Sequence, residues 1–173
     1  MKNIFLMILF SLFAGKLFSQ NPIIKSYAFS RNVIPGVRKV TSLNKDNPDE
    51  QKPGSFSTVY FLYLEVKKDF KFSVNMLWLK GKYFSVTCQK ITTPVLIEGT
   101  VSGVNKQKDT LVNATANDVY EIKSEKEIFP QRKDRLAITV TRFNEAVFFV
   151  KSGNKSYCSV ARKIKVLEPF IAM

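Results

Sequence analysis

The chain has 173 residues, with 27 Lys and Arg against 14 Asp and Glu, no histidine and two cysteines. The missing imidazole excludes Ser-His-Asp and Cys-His hydrolases, His-ligated zinc or copper sites and histidine pH switches, and two cysteines cannot make a four-thiolate zinc site. The net charge of +13 attracts anionic partners and is screened by salt, but carries no information on fold.

Residues 1–19 read as a secretory signal peptide. Lys2 supplies a positive start, residues 4–14 are apolar apart from Ser11, and Gly15, Lys16 and Ser19 make a more polar exit; these are the parts that translocation machinery recognises. The apolar run is shorter than the roughly 20 residues that span a bilayer, and Lys16 interrupts it. Cleavage after Ser19 is therefore expected, in preference to a membrane anchor, with Gln20 as the first mature residue. No cysteine lies near this junction, so a lipid-modified N-terminus is not expected. Loss of Lys2 and Lys16 leaves 25 basic residues against 14 acidic ones, a mature charge of +11. Outside the cytoplasm the anionic partners at hand are lipid headgroups, acidic glycans and acidic protein faces, and nucleic acid is not an expected one.

Residues 20–173 are of single-domain size and read as short strands rich in β-branched and aromatic residues, separated by turn formers. In chain order strands are expected over 23–29, 37–43, 56–66, 70–79, 83–89, 95–98, 111–113, 119–123, 135–142, 146–151 and 156–167. Pro35-Gly36, Lys80-Gly81-Lys82 and Ser152-Gly153-Asn154 are turn signals, and 44–55, 99–108 and 124–134 read as the longer loops. Tyr60, Leu62, Leu64 and Val66 alternate with Val59, Phe61 and Tyr63. That strand is apolar on both faces, so it is either central and covered twice or carries an outward aromatic platform. Phe70, Phe72, Val74, Met76 and Trp78 predict one core-facing stripe. The C-terminal run 166–173 ends apolar and is expected to pack on the body or on a partner.

Many short strands with regular turns predict an all-β fold, an antiparallel β-sandwich of immunoglobulin-like architecture, with a small β-barrel as the alternative. Trp78 precedes both cysteines, so the immunoglobulin signature itself is absent.

Cys88 and Cys158, 70 residues apart, are a candidate disulfide in an oxidising compartment, worth about 4 kcal/mol if the geometry permits; two separately buried thiols are the alternative. The hairpin Trp78-Leu79-Lys80-Gly81-Lys82-Tyr83 sets a Trp, a Tyr and two Lys around one turn. With Tyr63 these residues are the candidate binding set, suited to an anionic glycan or lipid headgroup by ring stacking and charge; otherwise Trp78 completes the core stripe and the lysines solvate the tip. Basic groups recur at Lys67, Lys68 and Lys71, at Arg132, Lys133 and Arg135, and at Arg162, Lys163 and Lys165. Glu65, Glu98, Asp109, Asp118, Glu121 and Glu145 could in principle form a two-carboxylate hydrolytic site. No phosphate-binding glycine loop or calcium loop is present in the sequence, and no cofactor or metal is expected.

The leader ending in Ser19-Gln20 and the lysine-rich β-domain that follows resemble small exported envelope proteins of the bacteroidetes type. The resemblance covers the leader and general style and implies an exported protein of the envelope. With the usual catalytic bases missing, the expected role is a non-enzymatic accessory protein, in the periplasm or at the cell surface, that associates with another envelope protein. Asp109-Thr110-Leu111 is similar to the O-glycosylation acceptor used on such proteins, with Thr110 as the candidate site; Asn113-Ala114-Thr115 and Asn154-Lys155-Ser156 fit the N-glycosylation pattern of eukaryotic hosts.

Overall fold

A computed structural model describes residues 21–35, 57–98, 108–129 and 135–172. The expected leader and the strand expected at 37–43 lie outside the described residues. The elements are β1 (Ile23–Pro35), β2 (Ser57–Val66), β3 (Ser73–Leu79), β4 (Lys82–Ile91), β5 (Val95–Glu98), β6 (Lys108–Val112), β7 (Asp118–Ile128), α1 (Arg135–Arg142), β8 (Ala146–Ser152), β9 (Lys155–Ala161), β10 (Lys165–Val166) and β11 (Phe170–Ala172). The fold is all-β, as the alternation predicts, and among the described residues no helix is long and apolar enough to cross a membrane.

The large sheet runs β10-β1-β2-β7-β4-β3-β8-β9, with β11 also on β1, while β5 and β6 pair as a second sheet. Pairing is antiparallel except where β10 and β11 run parallel to β1. The sheet curls until its far strand reaches its first: the Ser26 hydroxyl on β1 donates to the Val160 carbonyl on β9 at 2.8 Å. The C-terminal run packs on the body, with Leu167 buried and its N–H donating to Ser30 O at 2.8 Å.

The turns are built as their residues require. Lys80 and Gly81 both have positive φ, 46° and 96°, the two-residue hairpin geometry that matches the twist of flanking strands.

Two apolar clusters hold the fold. Inside the curl, Leu62, Leu64 and Val66 of β2 meet Leu77 and Leu79 of β3, Ile122 of β7, and Phe148 and Val150 of β8. Each fully buried side chain of this kind contributes about 2 kcal/mol. On the outer face of the same strands, Phe29, Tyr63 and Val119 are covered by Leu111 and Val112 of β6 and by Leu167. Period-two alternation thus sends successive β2 residues into two different cores, and the double apolar pattern of this strand marks a covered strand.

Polar groups pin the small sheet over that outer core. Arg31, 4% exposed, donates from Nη1 to Glu98 O at 2.8 Å and lies 3.7 Å from Asp109. Glu65, 7% exposed, accepts from Tyr27 Oη at 2.8 Å, Thr115 Oγ1 at 2.7 Å and Asn117 Nδ2 at 2.7 Å. Burial alone would raise the Glu65 carboxyl, but the Asn117, Thr115 and Tyr27 donors outweigh it and hold the group below its ordinary value. The other side of that contact shows at Tyr27, whose hydroxyl is pushed up to about 12 by burial and by the carboxylate.

Four sequence expectations are corrected. Residues 135–142 form α1. Leu136 and Val140 fit strand alternation, but they are also four apart and share a helical face; Asn144 Nδ2 donating to Val140 O at 2.6 Å, with Arg142 in the last turn, suits a helix end. The stripe from Phe70 to Trp78 is broken by a bulge between Val74 and Met76. One extra residue reverses the facing of all that follows, so Phe70, Phe72 and Val74 contact the inner core, and then Leu77 and Leu79 do. Residues 124–128, expected as loop, continue β7 opposite β4. The strand expected at 156–167 divides into β9 and β10.

Candidate functional site

The functional candidate is a split in the large sheet. β7 pairs with β4 along nearly all its length, from Tyr83 opposite Ile128 to Ile91 opposite Val119. On its other side β4 meets β3 only at Phe84–Leu77, Tyr83–Trp78 and Lys82–Leu79. Beyond these pairs β3 follows β8 back to Ser73, and β4 follows β7. A bulge sits on each side of the point of divergence: on β7, where Glu125 and Lys126 both oppose Ser85 of β4, and on β3, between Val74 and Met76. Bulges bend and twist the strand that carries them, which fits the parting here of the β4–β7 pair from the β3–β8 pair. Ser85 locks the first: its Oγ accepts from Lys126 N at 3.2 Å and donates to Lys126 O at 3.3 Å.

A cavity of about 430 Å³ occupies the split, lined by Asp69, Phe70, Lys71, Phe72, Cys88, Lys90, Asp118 and Tyr120. Its wall is aromatic. Phe70 and Phe72 stack at 5.6 Å with 11° between their planes, and Phe72 meets Tyr120 edge-on at 4.8 Å. Behind this wall, Tyr157 meets Phe70 edge-on at 6.1 Å. The link between β2 and β3 carries the two Phe, and Asp69 holds its turn with a φ of 60°, a conformation that Asp tolerates better than most residues.

One end of the cavity is polar and internally balanced. Asp118 accepts from Lys90 Nζ at 2.7 Å and from the Asp69 N–H at 3.0 Å. Lys90 first, and then the Asp69 amide, hold the Asp118 carboxyl below its usual range, and the same contact raises Lys90. Burial raises Tyr120, with Asp118 adding to the effect. Cys88 is exposed at the rim, yet desolvation by its apolar surroundings pushes its thiol up to about 11. The cavity therefore presents a fixed carboxylate, a fixed ammonium, a protonated thiol and three rings. Among the described residues no group of Cys, Asp and Glu is arranged to hold a metal ion.

The residues singled out from the sequence do not form a platform. Tyr63 is 3% exposed, beneath the small sheet. Tyr83 is buried and packs against half-buried Trp78, with ring centroids 4.7 Å apart and planes tilted by 60°. Lys80 and Lys82 are exposed, but each is 2.7 Å from a carboxylate, Glu145 and Glu127 respectively. The hairpin thus packs its rings on each other and on Phe149, on the face opposite Leu77 and Leu79, and neutralises its lysines. Thr110 is exposed on β6 beside the Arg31-bound Asp109. Cys88 and Cys158 are free thiols on β4 and β9, with β3 and β8 between them; three strand spacings are about 14 Å along the sheet, and a bridge needs Cα atoms within about 7 Å. The candidate disulfide is therefore corrected to two separate thiols.

Of the cavity residues, the sequence alone singles out Asp118 as a candidate carboxylate, Lys71 as part of a basic group, Cys88 as half of a candidate disulfide, and Phe70 and Phe72 as core. The split depends on two bulges, which have no sequence signature of their own. No family model, no curated protein and no solved structure matches the chain.

Proposed function

We propose that this chain is an exported, non-enzymatic binding protein of the cell envelope, which associates with another envelope protein through the cleft between β3 and β4. The observation that carries the reading is the aromatic cavity with a balanced Asp118–Lys90 pair at one end, the makeup of a site that holds an apolar group and orients it by a few polar contacts. Export is supported by the leader-like pattern of residues 1–19.

The chemistry of the cavity favours binding over turnover. A general acid needs a carboxyl raised toward neutrality, whereas Asp118 is lowered. A nucleophilic cysteine needs a lowered thiol, whereas Cys88 is raised to about 11.

The test is a photo-crosslinking amino acid placed at Lys71, on the cavity rim, in cells that express the full chain. A discrete crosslinked envelope protein, lost when the crosslinker is moved to exposed Lys155 at the start of β9, is the expected result. Crosslinks to lipid alone, or none, overturn the reading.

A further inference from the structure

We propose that the open edge of β4, from Val86 to Ile91, accepts an extended segment of an acidic partner protein as an added strand, and that the cavity seats one large apolar side chain of that segment. The inference rests on the reading above and specifies how the partner is held.

The edge is unusual in three respects. It is long: β7 pairs with one side of Val86–Ile91, and among the described residues no strand pairs with the other. In an antiparallel ladder alternate residues turn both N–H and C=O away from the partner strand, so about three residues offer a donor and an acceptor to an incoming chain. It is also accessible, since Thr87, Cys88, Gln89 and Lys90 are all exposed. And it is unguarded. Edge strands are ordinarily blunted by charge, by proline or by a bulge within the edge. Here the only charge is Lys90, which Asp118 neutralises at 2.7 Å, Pro94 comes after the strand ends, and the nearby bulge is carried by β7, opposite Ser85 and before the open stretch.

The cavity adjoins this edge. Cys88 and Lys90 belong to both, and Phe70 and Phe72 form the opposing wall. Strand addition draws affinity from main-chain hydrogen bonds and selectivity from pockets that take alternate side chains. A volume of about 430 Å³ accommodates one aromatic side chain, which would meet Phe72 and Tyr120 in the edge-to-face arrangement these two rings already adopt.

Charge selects the occupant. Without its leader the chain carries +11, so a second copy adding β4 to β4 would bring like fields together, and an acidic segment would be drawn in. Lys71 on the rim, which has no ion pair of 4 Å or less to a described carboxylate, stands ready to meet its acidic residues.

The experiment is selection of a displayed library of random ten-residue peptides on the wild-type protein, followed by amide hydrogen exchange with the enriched peptides. Expected are peptides with one aromatic or large aliphatic residue flanked by Asp or Glu, and slowed exchange within Val86–Ile91. N-methylation of alternate peptide amides should weaken binding at least tenfold with side chains unchanged. Peptides that bind the cavity with β4 exchange unchanged, or without sensitivity to N-methylation, overturn strand addition while leaving the cavity a binding site. No enrichment overturns it as well, and the crosslinking at Lys71 then decides the broader reading separately. Edge amides already protected in the free protein would show that the chain covers its own edge, and protection that grows with protein concentration would show a second copy there; either result overturns the proposal.

Discussion

Tyr27 on β1 donates its hydroxyl to Glu65 on β2 at 2.8 Å, across the pair of strands that carries the outer core. Glu65 is 7% exposed and takes two further donors from the segment leading into β7, so one charged acceptor joins three parts of the chain. Its folded-state carboxyl is lowered. The unfolded chain therefore binds the proton more readily, and the stabilisation is fully present above about pH 4.5 and is lost as pH falls through the folded value. Urea titrations from pH 6 to 3 should show stability falling with acid, and Glu65→Gln should flatten that dependence. An unchanged slope would show that the network does not survive in solution. Glu65→Ala, which leaves three donors without their acceptor, is expected to cost about 3 kcal/mol near neutral pH.

Among the described residues Phe148 is the largest fully buried side chain, and it lies opposite Leu77 inside the curl. Phe148→Ala should destabilise the fold by about 4 kcal/mol, read as a lowered denaturant midpoint with an unchanged slope. A loss below about 1 kcal/mol would mean that the curl is not closed around this ring.

Two free thiols make a redox prediction. Intact mass should be the same before and after reduction, and thermal stability should not change with reductant. Cys88, exposed but raised to about 11, should react with iodoacetamide several-fold more slowly at pH 7.5 than a free cysteine, because only the thiolate attacks. A mass two units lighter before reduction would establish the bridge instead.

Much of the fold can be read from residue order, and the parts that cannot have a common cause. The double apolar pattern of 59–66 identifies a central strand because each parity must enter a core, and Lys80-Gly81 identifies a hairpin because its backbone geometry suits glycine. The helix at 135–142 is hidden because Leu136 and Val140 satisfy both periods. The position of Trp78 is missed for a different reason: alternation propagates from Phe70 only while no residue is inserted, and Asn75 shifts the phase. The candidate site inherits this difficulty. It exists because strands diverge at Ser85 and Asn75, and divergence is a property of pairing partners far apart in sequence.

Arg31 is 4% exposed, and its Nε has no hydrogen-bond partner among the described residues. Burying a guanidinium is costly, and an apolar side chain of similar length often serves as well. Arg31→Met should change stability by less than about 1 kcal/mol, whereas Arg31→Ala, which removes the side chain's packing as well, should cost about 2 kcal/mol or more. Equal losses in the two variants, measured by chemical denaturation, would show that the charge itself holds the small sheet.

The hydroxyl of Ser26 reaches Val160 across 134 positions of sequence, and β10 and β11 then run along β1. The first described strand can pair early with β2, but its other edge waits for partners made almost at the end of synthesis, and the curl cannot close while the chain is still emerging. A topology dominated by such distant pairings folds slowly. For a chain that must pass through a membrane unfolded, as proposed here, that delay is useful: the order of its strands postpones folding until translocation can begin.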